Sequence, residues 1–208
     1  MPYVSKDGFV GPFVKSLTKW LLSGNAQNIK LLFIGDDTQC GARNKACKVA
    51  LEDGADYLWF LDSDQDFPVD ALGRLMALDA DIACADMWSR NWPSFRIVIR
   101  MSEPDETGKK IPTPVSQEVA DAGLPAPIDV CGMGCTLIKV DLLRRMADYF
   151  PGQPWFWVAE HGEDATFCFK AADMKAKIMC DFGLKSGHWS YCRMMGQEFT
   201  KSLDSLGA

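Results

Sequence analysis

"YLWFLDSDQDFP" (57–68) drives five aromatic or aliphatic side chains straight into Asp62, Asp64 and Asp66. A short apolar run without polar alternation has the pattern of a strand buried on both faces, as in a parallel sheet covered by helices. Carboxylates at every second position repel one another, so a positive group is expected among them. Side chains alternate along a strand, and Asp62 and Asp64 therefore project to one side if the strand persists that far. At about 3.4 Å per residue they stand roughly 7 Å apart, a span that one ion or its water shell can bridge. Oxygen donors of this hardness favour Mg²⁺ or Mn²⁺, ions that usually keep phosphate oxygens as partners. Ligands in open parallel sheets gather beyond the carboxyl ends of strands, where this run stops. A competing reading makes the aspartates turn formers, with Asp66 capping a helix that begins near Pro68.

Working outward, "IKLLFIG" (29–35) reads as another buried strand. "ARNKACKVALEDG" (42–54) reads as a helix with Ala42, Ala46, Val49 and Ala50 along one side, and "GPFVKSLTKWLLSG" (11–24) as a helix between Pro12 and Gly24. Downstream come a helix, "PVDALGRLMAL" (68–78), and a short buried strand, "DIACAD" (81–86). Strands alternating with helices predict an α/β domain with a mostly parallel central sheet flanked by helices. The second half is more mixed. "FRIVIR" (95–100) alternates like a half-exposed antiparallel strand, and "MSEPDETGKKIPTP" (101–114) is a polar loop. "CGMGCTLIK" (131–139) is a Gly-marked strand, "DLLRRMADYF" and "EDATFCFKAAD" are helices, and "AKIMCD" is a late strand. A last helix is expected from Met195.

The 208 residues suit one domain, 1–208, with a full core. A net charge of −6 and a pI near 4.9 argue against a generally basic nucleic-acid binder. Eight cysteines occur without a CxxC pair, and only two histidines accompany them, so the spacing of a structural zinc site is missing. Free, buried thiols in a reducing cytoplasm are expected, and no apolar run approaches the roughly 20 residues of a membrane span.

Read together, "IGDDTQCGARNKACKVALEDGADYLWFLDSDQDFPVDALGRLM" resembles the nucleotide-binding half of GT-A glycosyltransferases of the family 2 type, and especially small phage-encoded members. The ordered features are Asp36-Asp37, Arg43-Asn44 and the DxD motif Asp62-Ser63-Asp64. "CGMGCTLIKVDLL" resembles the strand flanking the acceptor cleft, "HGEDATFCFKAADMKAKIMCD" the segment with the catalytic carboxylate, and "SGHWS" the late metal-site histidine. The resemblance runs from about residue 9 to 190. It implies a Rossmann-like GT-A fold with a nucleotide-sugar and metal half (1–100) and an acceptor half (101–208).

The resemblance also implies roles. Asp36 and Asp37 would accept hydrogen bonds from a base or ribose, and Arg43 would reach the base or diphosphate. Asp64 would ligate Mn²⁺ or Mg²⁺ directly, Asp62 would reach the ribose or the metal through water, and His188 would close the metal site. Asp164 would be the general base of an inverting displacement, with Glu163 orienting it or contacting the acceptor. Trp88, Arg90, Gly134 and Trp157 are acceptor-side candidates. The donor expected is a nucleotide-diphosphate sugar, a UDP-sugar first. The acceptor expected is soluble: hydroxymethylated pyrimidine in DNA, or else a protein, glycan or small molecule. No obligate protein partner is evident. A nucleotidyltransferase or a non-catalytic sugar-nucleotide binder is the alternative class. One departure stands out: "MPYVSKDGFVGP" leaves room for only a very short first strand around Tyr3 and Val4, which puts the base contacts in doubt.

Overall fold

The apolar run at Tyr57 forms a strand, β1 (Tyr57–Leu61), in the computed structural model, which describes residues 11–24, 27–35, 38–89, 96–101, 106, 111–190 and 193–195. Helices α1 (Gly11–Leu22) and α2 (Gln39–Glu52) precede it. After it come α3 (Ala71–Ala77), β2 (Ile82–Met87), β3 (Ile99–Met101), β4 (Pro112–Pro114), α4 (Gln117–Asp121) and β5 (Pro125–Pro127). The chain continues through β6 (Cys135–Lys139), α5 (Val140–Tyr149), α6 (Glu163–Asp173), β7 (Ile178–Ser186), β8 (His188–Ser190) and β9 (Arg193–Met195).

The central sheet has the order β1-β6-β2-β7-β5. Only β2 and β7 pair in parallel; β6 runs antiparallel to both β1 and β2, and β5 antiparallel to β7. The sheet is therefore mixed, not mostly parallel as the sequence predicts. The cause is β6, which returns from the second half of the chain and inserts between β1 and β2. Its residues Cys135 to Ile138 are all buried, and a fully apolar strand reads the same in either direction. At the far edge β5 is Pro-Ala-Pro, tolerable because an edge strand has one side free of ladder bonds.

Residues 29–35, expected as a buried strand, carry no assigned strand. Ile29, Leu31 and Phe33 are exposed and Ile34 is buried. A cavity of about 740 Å³ is lined by both this segment and β1. Hydrophobicity alone does not make a strand: β1 is the terminal strand of the sheet, laddered on one side with β6, and among the described residues no strand is assigned on its other side. The antiparallel pairing expected for 95–100 is found in pieces: Arg96 bridges Trp88, and from Ile99 onward β3 pairs with β4. The helix expected from Met195 lies outside the described residues.

Other local expectations match closely. α2 begins where the Thr38 hydroxyl accepts the Gly41 N–H at 3.0 Å, it buries Ala42, Ala46 and Ala50, and the chain leaves it through Gly54 at φ +66°. Edge-to-face contacts link Trp20 to Trp59 and Trp59 to Phe67 under α1, while Phe156 lies flat on Phe167 at 4.4 Å. The seven described cysteines are free thiols, six of them buried. Burial pushes the Cys135 thiol up to about 12, so it packs as an apolar group and not as a nucleophile. Among the described residues no helix is long and apolar enough to cross a membrane.

Candidate functional site

The three aspartates after β1 do not share one partner. Asp62 lies 3.6 Å from Nη2 of Arg43, Asp64 lies 3.3 Å from Nε2 of His188, and Asp66 turns to Gly187 and Trp189. Repulsion along the turn is thus relieved by sending the carboxylates three ways. Asp66 does not cap α3, which starts later, at Ala71. The turn itself is seated on β6: the Asp62 N–H donates to the Gly134 carbonyl at 2.9 Å. A Cβ on Gly134 would overlap the buried Gln65 side chain, so this glycine keeps room for the turn.

Arg43 is the positive group at the first aspartate. It is 1% exposed on α2, with Nη1 3.0 Å from Glu163 and in an ion pair with Asp164 as well. Its guanidinium lies 5.7 Å from the centroid of the Phe156 ring. Asp164 also accepts the Met133 N–H at 3.2 Å. Glu163 and Asp164 open α6 behind Gly162, whose φ of +85° suits glycine. Acidic groups in a first helical turn are favoured by the unpaired N–H groups there. One buried guanidinium therefore joins the DxD turn to the α6 carboxylates, a role the sequence does not announce.

His188 has its tautomer set by a backbone carbonyl. Nδ1 is 2.7 Å from the Trp88 oxygen, which only accepts, so Nδ1 carries the proton. Nε2 is then the ring nitrogen turned to the Asp64 carboxylate. Two lone-pair donors at 3.3 Å call for a proton or a cation between them. Beside it, Asp62, Glu163 and Asp164 share the Arg43 guanidinium, three carboxylates to one cation. Asp64 offers carboxylate oxygen, the donor that Mn²⁺ and Mg²⁺ take, and His188 offers an imidazole nitrogen. Among the described residues no group of three or more His, Cys, Asp or Glu is gathered as a ready-made cage. Of the three expected ligands, Asp64 and His188 are together and Asp62 is turned to Arg43.

The remaining candidates are spread. Asp36, Asp37 and Arg90 lie outside the described residues. Trp88 carries the Arg96 guanidinium over its ring at 4.8 Å and touches the site through its carbonyl. Trp157 packs against Lys170 at 4.5 Å, and Lys170 donates to the Pro154 carbonyl at 2.9 Å. Burial pulls this ammonium below the usual lysine range.

Asn44 has a structural job that its place beside Arg43 does hint at. Its amide grips the Phe156 backbone on both sides, Nδ2 donating to the carbonyl at 2.7 Å and Oδ1 accepting the N–H at 3.0 Å. The Arg43-Asn44 pair thus holds both the α6 carboxylates and the segment leading to them. Asn44→Ala leaves both Phe156 groups without these partners and is expected to cost about 2 kcal/mol. Urea unfolding checks this, and a midpoint equal to that of the parent protein contradicts it.

No protein-family model matches the chain, and no curated protein sequence matches it. Solved structures do. A197 from STIV is 19% identical with a TM-score of 0.60, over 90% of this chain and 83% of that one. GalNAc-T7, crystallised with UDP, GalNAc and Mn²⁺, is 14% identical with a TM-score of 0.50, over 84% of this chain. The match takes in only 35% of the GalNAc-T7 chain. At these identities the likeness is one of fold, a Rossmann-like α/β arrangement around a mixed sheet.

Proposed function

We propose that this protein is a metal-dependent, inverting GT-A glycosyltransferase that moves a sugar from a nucleotide-diphosphate donor, a UDP-sugar first, to an acceptor hydroxyl. The reading is carried by one observation: the DxD carboxylate of Asp64 meets an imidazole whose Nδ1 is fixed on a backbone carbonyl. The shared fold with GalNAc-T7, itself crystallised with UDP and Mn²⁺, supports it.

Asp64 and His188 hold the divalent cation, with Asp62 reaching the ribose or the ion through water. A cation bound there offsets the negative charge that gathers on the departing diphosphate. Asp164 takes the acceptor proton as that oxygen bonds to the anomeric carbon. The bond from that carbon to the diphosphate breaks, and the nucleoside diphosphate leaves with the electron pair. Arg43 keeps Asp164 and Glu163 in place. Base contacts fall to Asp36 and Asp37, and acceptor contacts to Trp88, Arg90, Gly134 and Trp157. The acceptor proposed for test is 5-hydroxymethylcytosine in DNA, beside glycan, peptide and small-molecule hydroxyls.

The test combines Mn²⁺ with a panel of sugar nucleotides and reads thermal shift and sugar release. A UDP-sugar near 100 times its Kd should add about 2.7 kcal/mol, hence roughly 5 °C or more, only with metal present. A melting temperature unmoved by every nucleotide sugar with Mn²⁺ defeats the proposal. Repeating the winning donor with modified DNA then decides that acceptor.

A further inference from the structure

We infer that Asp66, the third carboxylate of the turn, is a positioning residue that holds His188 against Asp64, an inference resting on the metal reading above. Asp64 and His188 come from distant segments, and something must fix their approach. The Asp66 carboxylate accepts the Gly187 N–H at 2.8 Å and the Trp189 indole N–H at 3.1 Å. It thus grips the residue before His188 and the residue after it. Because side chains alternate along a strand, the Trp189 indole lies on the face opposite the imidazole and meets Asp66, while the imidazole meets Asp64.

The backbone repeats this register. The Asp66 N–H donates to the Gly187 carbonyl at 3.0 Å and the Trp189 N–H to the Asp64 carbonyl at 2.7 Å, with Gln65 and His188 forming an antiparallel bridge. The Ser186 hydroxyl sits 2.7 Å from the Gln65 amide oxygen and 2.8 Å from the Asp66 carbonyl. The bonds from Asp66 span 121 residues to Gly187, so no local propensity substitutes for them. With both carboxylate oxygens engaged by donors, Asp66 acts through His188 and not as a ligand. Bonds from an ionised acceptor are about twice as strong as neutral ones, which suits a clasp.

The test uses the full chain and Mn²⁺ alone. Asp66→Asn keeps an oxygen for Gly187 but turns an amide N–H₂ toward the Trp189 indole, donor against donor. Trp189→Phe removes only the indole bond and is the milder variant should the first fold poorly. Mn²⁺ affinity by electron paramagnetic resonance should fall about 10- to 100-fold in Asp66→Asn, and less in Trp189→Phe. Imidazole ¹⁵N spectra should show His188 losing its single Nδ1–H tautomer, a signature that loss of stability alone does not give. Parent protein that binds Mn²⁺ alongside an Asp66→Asn variant that binds it equally overturns this role and leaves the glycosyltransferase reading standing. Parent protein that binds no Mn²⁺ counts against the metal reading instead. The ¹⁵N spectra then decide for Asp66: an altered His188 tautomer supports the clasp, and an unchanged one removes it.

Discussion

Asp164→Asn should leave metal-dependent donor binding intact and cut turnover by about 10² to 10⁴, the range a general base contributes. Three features place the effect on this residue. Its carboxylate is 27% exposed, so an acceptor hydroxyl can reach it. One oxygen is oriented by the Met133 N–H, and the other faces the Arg43 guanidinium, which favours the ionised form a base requires. Asparagine preserves the Met133 bond but has no basic oxygen to receive a proton. Glu163→Gln serves as the comparison: if Glu163 only steadies its neighbour, its loss lowers the rate less. The measurement is single-turnover sugar transfer beside donor-induced thermal shift. Turnover within threefold of the parent protein would remove Asp164 from the base position, while loss of donor binding in step with turnover would make it a binding residue.

What the sequence discloses here follows from the range of the forces involved. β1, α2 and α6 are legible because burial periodicity acts over a few residues, although α2 starts at Gln39 behind Thr38 and not at the expected Ala42. The turn at Asp62 to Asp66 stands out in the sequence because apolar side chains do not end in three acids by packing preference. Strand direction is not legible. β6 looks the same reversed, and its insertion between β1 and β2 depends on how the second half returns. Nor does the sequence tell which carboxylate meets which partner. Asp66 as a helix cap is a sound local reading, yet the N–H of Gly187 and the indole of Trp189 outcompete the first turn of α3. Arg43 reads as a donor contact on an exposed helix face; its burial is decided by Glu163 and Phe156, both from the far half of the chain.

Arg43→Met should destabilise the fold by about 3 kcal/mol and abolish transfer, and the two losses should separate in a cycle with Glu163. The guanidinium is 1% exposed and serves Asp62, Glu163 and Asp164 at once. Methionine fills much of the same volume beside Phe156, so packing is largely kept and the change is mainly one of charge. Without the cation three carboxylates face one another, a repulsion moderated by their 18–27% exposure to water. Glu163→Gln in the Arg43→Met background should therefore regain part of the lost stability, although Glu163→Gln alone lowers it by breaking a bond to Arg43. A sign reversal of that kind, read by urea unfolding, is what an electrostatic knot predicts and a packing role does not. Arg43→Lys separates charge from shape: a single ammonium cannot reach the DxD turn and the α6 carboxylates together, so stability should return further than activity. Mn²⁺ should still bind the Arg43→Met protein, because removing a positive charge beside Asp62 favours a cation at Asp64 and His188. If Mn²⁺ binding vanished with Arg43 while the fold survived, the guanidinium would be shaping the metal site itself, and its assignment to the base carboxylates would have to give way.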